Sequence, residues 1–200
     1  MKKILLFAVF TLLAITPSLL TAQSSFADNH VEIGAFADYL RFSPVTPAIN
    51  FVGLGGRFAF NVHPNIQLEA EMSYDFDRNY TSISSNGGTT SFATTRLRPL
   101  TALFGPKFQA GSSGPVRVFV TGKVGFINFT NTTGPASGTS FTNSVNNVPY
   151  GNTDVAFYPG AGIEGFWGPF GLRLDAGDEI FLSNGAHNNL RVTFGPHFRF

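Results

Sequence analysis

The chain has 200 residues, of which 43% are hydrophobic and 12% charged, and it contains 23 Phe, 22 Gly and no Cys. This composition excludes a disordered chain, a disulfide scaffold and a thiolate metal site. Two of the 13 basic residues, Lys2 and Lys3, lie in the leader described next, which leaves 11 against 12 acidic residues. Such a balance gives no electrostatic basis for binding nucleic acid.

The first residues have the layout of an export signal. Lys2 and Lys3 precede an apolar run over residues 4–15, and Pro17 and several small residues follow it. The run is too short to span a bilayer as a helix, which takes about 20 residues. We predict a signal peptide at residues 1–27, cleaved after Ala22 or Ala27, and one domain over residues 28–200.

From Val31 onward, apolar and polar residues alternate at period two, as in strands. The clearest case begins at Ile66, where every second residue is apolar and the residues between, such as Glu69 and Glu71, are polar. The pattern predicts eight strands, each long enough to cross a bilayer when tilted, over residues 31–41, 51–62, 66–76, 98–110, 116–129, 155–166, 170–181 and 190–200.

The predicted connections alternate in length. Short ones rich in turn-forming residues occur at 63–65, 111–115 and 167–169, and longer ones at 43–50, 77–97, 130–154 and 182–189. Short turns on one side and long loops on the other are typical of barrels in the bacterial outer membrane, with both termini on the short-turn side. We therefore predict an all-β, eight-stranded, antiparallel up-and-down transmembrane β-barrel.

The polar face of the strands is predicted to line the lumen, because it carries most of the charged residues. The predicted lumen charges are Glu32, Asp38, Arg57, Glu69, Glu71, Asp75, Lys107, Arg117, Lys123, Glu164, Arg173, Asp175, Glu179, Arg191 and Arg199. Ten glycines share this face, which suits a narrow interior filled by long charged side chains. The opposite face carries aromatic residues near the strand ends, as an interfacial girdle does: Tyr39, Phe60, Tyr74, Phe76, Phe108, Phe126, Phe157, Phe170 and Phe198. The alternative fold is a secreted soluble barrel, inside out relative to this one, that binds an apolar ligand.

The last strand ends in an alternating tail formed by Val192, Phe194, Pro196, Phe198 and Phe200. This tail resembles the C-terminal insertion signal that the barrel assembly machinery reads in outer-membrane proteins. The eight-strand layout resembles the transmembrane domain of the outer-membrane protein A family. The resemblance implies a monomer whose lumen is filled by charged, hydrogen-bonded side chains. The larger members of that family also carry a peptidoglycan-binding domain, which we do not expect here.

No motif in the chain predicts a catalytic, cofactor or metal site. Gly160, Gly162 and Gly165 match a dinucleotide fingerprint in spacing, but a turn follows them where that fingerprint needs a helix. The histidines His30, His63, His187 and His197 are scattered, without the spacing of a zinc site. Ser183 with His187 is the nearest resemblance to a catalytic pair, and we interpret both as structural loop residues.

The predicted role is that of a non-enzymatic outer-membrane protein with a structural or surface-interaction function. Outer-membrane lipid and the assembly machinery are its expected partners, and the sequence identifies no extracellular ligand. One alternative is a narrow channel for small solutes, opened when Glu69, Glu71, Lys107, Arg117 and Lys123 exchange partners. A second alternative is an enzyme that modifies membrane lipid.

Overall fold

The computed structural model describes residues 30–44, 48–86, 89–110, 114–133 and 153–200. The predicted leader and most of the predicted loop at 130–154 lie outside these residues, as does the whole of the cleavage region. No helix in the described part of the chain is long and apolar enough to cross a membrane. The described strands are β1 Val31–Phe42, β2 Ile49–His63, β3 Ile66–Asp75, β4 Arg78–Asn86, β5 Thr89–Ala110, β6 Val116–Thr133, β7 Thr153–Trp167, β8 Phe170–Leu182 and β9 Ala186–Arg199.

The strands form one antiparallel sheet that closes on itself. The order around the sheet is β3-β2-β1-β9-β8-β7-β6-β5-β4, and an additional pairing between β3 and β5 closes the ring. Strand β4 continues the path of β3 after a short break at Phe76 and Asp77, and it pairs with the first half of β5. The barrel wall therefore has eight strands, as the alternation predicts, and β4 with the start of β5 forms a hairpin that extends beyond the wall.

Two predicted loops are wrong in the structure. The segment 77–97 is mostly strand, because its Thr residues favour extended backbone and its two halves pair from Arg78 with Leu97 to Asn86 with Thr89. The segment 182–189 reduces to a turn at Ser183, Asn184 and Gly185, since β9 begins at Ala186. Asn184 and Gly185 have positive φ angles of 50° and 140°, which Asn and Gly tolerate. The turn between β8 and β9 is therefore shorter than the predicted loop.

The register gives the barrel its size and tilt. A row of paired residues that starts at Leu40 runs once around the wall and returns to β1 at His30, ten residues earlier. The row passes through Arg191, Gly177, Gly160, Thr121, Lys107, Gln67 and Asn61. This stagger requires strands tilted by roughly 35–45°, and an eight-stranded barrel of this kind is wide enough only for side chains.

The two ends of the barrel differ. Val31 and Phe200 exchange backbone hydrogen bonds of 3.0 Å at the end where the turns at Pro64–Asn65 and Gly168–Pro169 lie. We call this the turn end and the opposite end, from which the β4–β5 hairpin extends, the loop end. Gly168 has a φ of 64°, so the tight turn before Pro169 depends on a residue without a side chain.

The outer surface of the wall is apolar. Exposed side chains include Leu54, Phe58, Met72, Phe104, Val120, Ile163, Leu174 and Phe194 in the middle of the wall, with Phe60, Phe108, Trp167, Phe170, Phe198 and Phe200 toward the turn end and Tyr74, Phe76, Phe126 and Phe157 toward the loop end. Four residues of the predicted insertion signal, Val192, Phe194, Phe198 and Phe200, face outward on or directly after β9. A continuous apolar belt with an aromatic rim at each end is stable against lipid rather than water.

Candidate functional site

The interior of the barrel is the most elaborate polar structure in the described chain. Thirteen of the fifteen predicted lumen charges are buried inside the wall, and the other two, Arg117 and Arg199, are partly buried near the turn end. Small inward residues leave room for some of these charges, and a Cβ built on Gly53 would lie 2.5 Å from Asp75 Oδ1. The pairing of these charges depends on geometry that the sequence does not display.

Glu69, on β3, lies at the centre of the charge network. Its carboxylate accepts hydrogen bonds from both terminal nitrogens of Arg173, one of them at 3.1 Å, and it lies 2.9 Å from Lys123 Nζ. Lys107 Nζ is 3.6 Å from Glu69 and 2.5 Å from Glu164. The side chains of all these residues are at most 1% exposed, so each charge is neutralised by partners rather than by water.

Glu71, two residues further along β3, extends the network toward the loop end. It contacts Arg57 at 2.9 Å, Lys123 at 2.7 Å and Arg191 at 3.0 Å. Because Lys123 contacts Glu69 as well as Glu71, the ion pairs form one connected network across strands that are far apart in sequence. Such a network fixes the positions of opposite walls relative to one another.

Arg191, on β9, gathers the carboxylates nearest the loop end. It contacts Asp38 at 2.9 Å and Glu179 at 3.4 Å, besides Glu71, and it donates to Ser73 Oγ at 3.2 Å. Asp75 lies in the same region and is 1% exposed, yet neither of its carboxylate oxygens has a hydrogen-bond partner among the described residues. The cost of burying the Asp75 carboxyl group is therefore not offset by a hydrogen bond to any described residue.

Three aromatic rings lie within the network and share its cations. The Arg57 guanidinium lies 4.8 Å from the centre of the Phe36 ring, and Arg173 lies 4.0 Å from that of Phe119. Tyr158 donates a hydrogen bond of 2.7 Å to Asp175 Oδ1. These rings occupy space over inward glycines, and a Cβ built on Gly160 or Gly177 would lie 2.7 Å from the Tyr158 ring. The inward glycines therefore make room for aromatic rings as well as for long charged side chains.

The loop end of the lumen is filled by apolar side chains rather than charges. We call this group the loop-end plug, and its members are Leu40, Phe42, Phe51, Leu97, Leu103, Ile127, Phe129, Ala156 and Phe181. Phe42 stacks on Phe181 at 5.8 Å and meets Phe129 edge-on at 5.3 Å, and all three are fully buried. With Leu40 at 1% and Leu103 at 3% exposed, the plug separates the ionic network from the loop end.

The turn end of the lumen is more open, and two partly buried arginines and a histidine surround one aromatic ring there. Arg117 and Arg199 lie over the Phe166 ring at 4.7 and 4.1 Å, and His197 meets the same ring edge-on at 4.9 Å. His197 Nδ1 lies 3.9 Å from Glu32, so this histidine faces the interior beside the charge network. Arg199 also donates a hydrogen bond to the Gly168 carbonyl at 3.2 Å and ties the last strand to the turn.

The remaining sequence motifs form no assembled site. Gly160, Gly162 and Gly165 lie within strand β7, where a nucleotide fingerprint would need a loop and a helix. His187 Nε2 contacts the backbone carbonyl of Ser183 at 2.8 Å, and its ring stacks on Phe181. Within the described ranges no group of three or more acidic or histidine side chains is placed to hold a metal ion.

The loop-end plug is the feature that sequence reasoning missed. The nine aromatic residues predicted for the outer girdle do face outward, but no prediction was made for Phe36, Phe42, Phe51, Phe119, Phe129, Phe166 and Phe181, which point inward. Alternation along the strands could have predicted the inward direction of these rings, because Phe42 lies four positions from Asp38 and Phe181 lies two positions from Glu179. An apolar residue that lies an even number of positions from a lumen charge on the same strand also faces the lumen.

Comparison with known proteins supports the fold. The attachment invasion locus protein Ail of Yersinia pestis, in complex with the heparin analogue sucrose octasulfate, is similar with a TM-score of 0.50 and 12% identity, over 86% of this chain and 98% of Ail. Neisserial surface protein A is similar with a TM-score of 0.51 and 8% identity, over 85% of this chain and 97% of that one. No protein-family model and no curated protein matches the chain.

A closed wall of eight strands, a lipid-facing apolar belt and a charged interior together define a transmembrane β-barrel of the bacterial outer membrane. The chain has the fold of the small barrels of that class, and the resemblance noted in the sequence is confirmed at that level. The soluble alternative is wrong, because it would place the charges outside and the exposed aliphatic and aromatic belt inside.

Proposed function

We propose that this protein is a non-conducting outer-membrane barrel with a structural role, which holds its loop-end surface outside the cell for interaction. The observation that carries the proposal is the loop-end plug. Phe42, Phe51, Phe129 and Phe181 are fully buried across the lumen, so a hydrated path would have to pass through packed aromatic rings.

The charge network below the plug supports the same conclusion. The alternative of a narrow channel needs Glu69, Glu71, Lys107, Arg117 and Lys123 to exchange partners. Arg117 is partly buried, and the other four are less than 6% exposed and pair with charges from other strands. Removing one partner from a buried pair costs about 3–5 kcal/mol, so an open arrangement is a rare one.

Planar-bilayer recording tests the absence of conductance. We expect the purified protein to leave bilayers silent, and we expect Phe42→Ser together with Phe181→Ser to produce small conductance events by opening the plug. The double variant shows that the assay detects a narrow path through this barrel. Conductance of the unchanged protein that disappears on Glu69→Ala or Lys107→Ala would instead establish the channel.

Presentation of the loop end outside the cell is tested by labelling, because the chain contains no Cys. We expect Asn86→Cys, at the far end of β4, to react with a membrane-impermeant maleimide on intact cells. Asn65→Cys, in a turn at the other end of the barrel, is the matched control and should react only after the outer membrane is permeabilised. The reverse pattern would place the hairpin in the periplasm and contradict the proposal.

Insertion by the barrel assembly machinery is part of the same proposal. The outward positions of Phe194, Phe198 and Phe200 on the last strand support it, since a signal read during assembly must be accessible before closure. Nothing in the described interior supports lipid-modifying chemistry, because the serine and histidine of the weak pair meet only through a backbone carbonyl. We therefore propose a non-enzymatic role.

A further inference from the structure

The outer surface of the barrel carries its basic residues at one end and on one side. In the described strands, Arg41 on β1 and Arg96 and Arg98 on β5 are the cations that face outward. All three lie at the loop end, level with or beyond the aromatic rim. Asp178 on β8 is the outward acidic residue of the described strands, and its carboxylate is bound by Asn188 and by the backbone of Asn189.

The side of the barrel that carries these arginines also presents neutral polar groups. Arg41 pairs in register with Asn50, whose side-chain oxygen accepts a 3.0 Å hydrogen bond from the Tyr39 hydroxyl. Strand β3 lies between this pair and β5, and it contributes the exposed side chain of Tyr74, with exposed Phe76 directly after the strand. We call the surface formed by Arg41, Asn50, Tyr39, Tyr74 and Arg98 the arginine face.

Arg98 is held in a defined position on this face. Its guanidinium lies 4.9 Å from the centre of the Tyr74 ring, and Tyr74 is 43% exposed on the outside of the wall. The cation therefore lies against the aromatic rim, at the depth of lipid headgroups, rather than extending into water. Arg96, in contrast, is 62% exposed and is already paired with Asp77 at 3.0 Å.

We propose, on the basis of the proposed orientation with the loop end outside the cell, that the arginine face binds the phosphate groups of the lipid in the outer leaflet, with Arg98 and Arg41 as the principal contacts. Arginine presents planar, paired donors that match phosphate oxygens, and the aromatic rim fixes the guanidinium at the level where such phosphates lie. The occupant is a phosphorylated lipid rather than a soluble anion, because the acyl chains beneath the headgroup would contact the exposed belt formed by Leu54, Met72 and Phe104.

Binding to defined lipids tests this proposal on the full exported chain purified in a nonionic detergent. We expect lipopolysaccharide to bind and its dephosphorylated form to bind much more weakly. Arg98→Gln and Arg41→Gln should each weaken binding about fivefold, and the double variant more. Arg98→Lys should recover part of the loss, since it keeps the charge without the paired donors.

Arg78→Gln is the matched control, because it removes the same charge at the same end but pairs in register with the inward-facing Leu97. Lipid binding by this variant should equal that of the unchanged protein. Equal weakening by Arg78→Gln, or full binding by the double variant, would overturn the proposal. Displacement of the lipid by inorganic phosphate at comparable concentration would show a free-anion site and would also overturn it. Heat-dependent gel mobility confirms that every variant is folded.

Discussion

At the scale of single residues, two buried acidic side chains on β3 differ in the partners that the fold gives them. Glu69 touches three cations from three other strands, whereas Asp75 has no hydrogen-bond partner among the described side chains and backbone groups. Both are carboxylates on β3 and both are at most 1% exposed. Their sequence contexts are alike, so only the positions of distant side chains distinguish them.

We predict opposite outcomes for two isosteric substitutions on β3. Glu69→Gln should lower the free energy of unfolding by about 3–5 kcal/mol, because it leaves Arg173, Lys107 and Lys123 buried with too few partners. Asp75→Asn should change that free energy by less than about 1 kcal/mol or raise it, since it replaces a buried carboxyl group that has no hydrogen-bond partner among the described residues. Urea unfolding in lipid vesicles measures both. Equal losses from the two variants would show that burial alone, not pairing, governs stability.

At the scale of strands, inward and outward glycines have different roles even on neighbouring strands. A Cβ built on Gly105 would lie 2.8 Å from the Lys123 Cα across the β5–β6 pairing, closer than real atoms approach. On the facing strand, Gly122 points outward, and a Cβ there meets nothing within 4 Å. Glycine is thus required where two backbones approach inside the wall and dispensable where the wall faces lipid.

Alanine substitution tests this difference at the β5–β6 pairing. Gly105→Ala should lower the free energy of unfolding by about 1–3 kcal/mol, because the backbones of two paired strands must separate to admit the methyl group. Gly122→Ala should be neutral, or stabilising by up to about 1 kcal/mol, as it restricts only the unfolded chain. The same urea titration gives both values, and a neutral Gly105→Ala would mean that the strands adjust without strain.

Strands and their connections were predicted with unequal success. The eight wall strands follow from alternation, because each must present one face to lipid and one to the lumen. The segment 77–97 has no apolar stripe and was assigned to a loop, although β4 and β5 pair through it. Backbone pairing beyond the membrane needs no hydrophobic face, so alternation gives no signal there.

At the scale of the whole molecule, the apolar face of the wall points outward, and this makes the barrel stable in lipid rather than in water. Met72 and Val62 are both outward, and they are 58% and 47% exposed, but Met72 lies in the middle of the wall and Val62 next to a turn. In a bilayer the first position contacts hydrocarbon and the second the interface. In water the two positions would be equivalent.

We therefore predict that a lysine has a different effect at each position. Met72→Lys should destabilise the lipid-inserted barrel by about 2–4 kcal/mol, and Val62→Lys by no more than about 1 kcal/mol. The comparison is made by unfolding titrations in vesicles, with folding checked by heat-dependent gel mobility. If both lysines are tolerated equally, the apolar belt does not contact lipid and the membrane assignment fails.

The amino-acid sequence alone predicts the strands of the wall and which of their residues face lipid or lumen. Alternation with period two is local along the chain, and a wall between lipid and a polar lumen requires it. The sequence also places Glu32, Glu69, Arg173 and the other lumen charges on one face. The folded structure alone establishes which charges pair, since Arg173 contacts Glu69 across 104 residues of sequence and Arg191 contacts Asp38 across 153. It likewise establishes that Phe42, Phe129 and Phe181 close the lumen, because their contact depends on the stagger of eight strands around a ring.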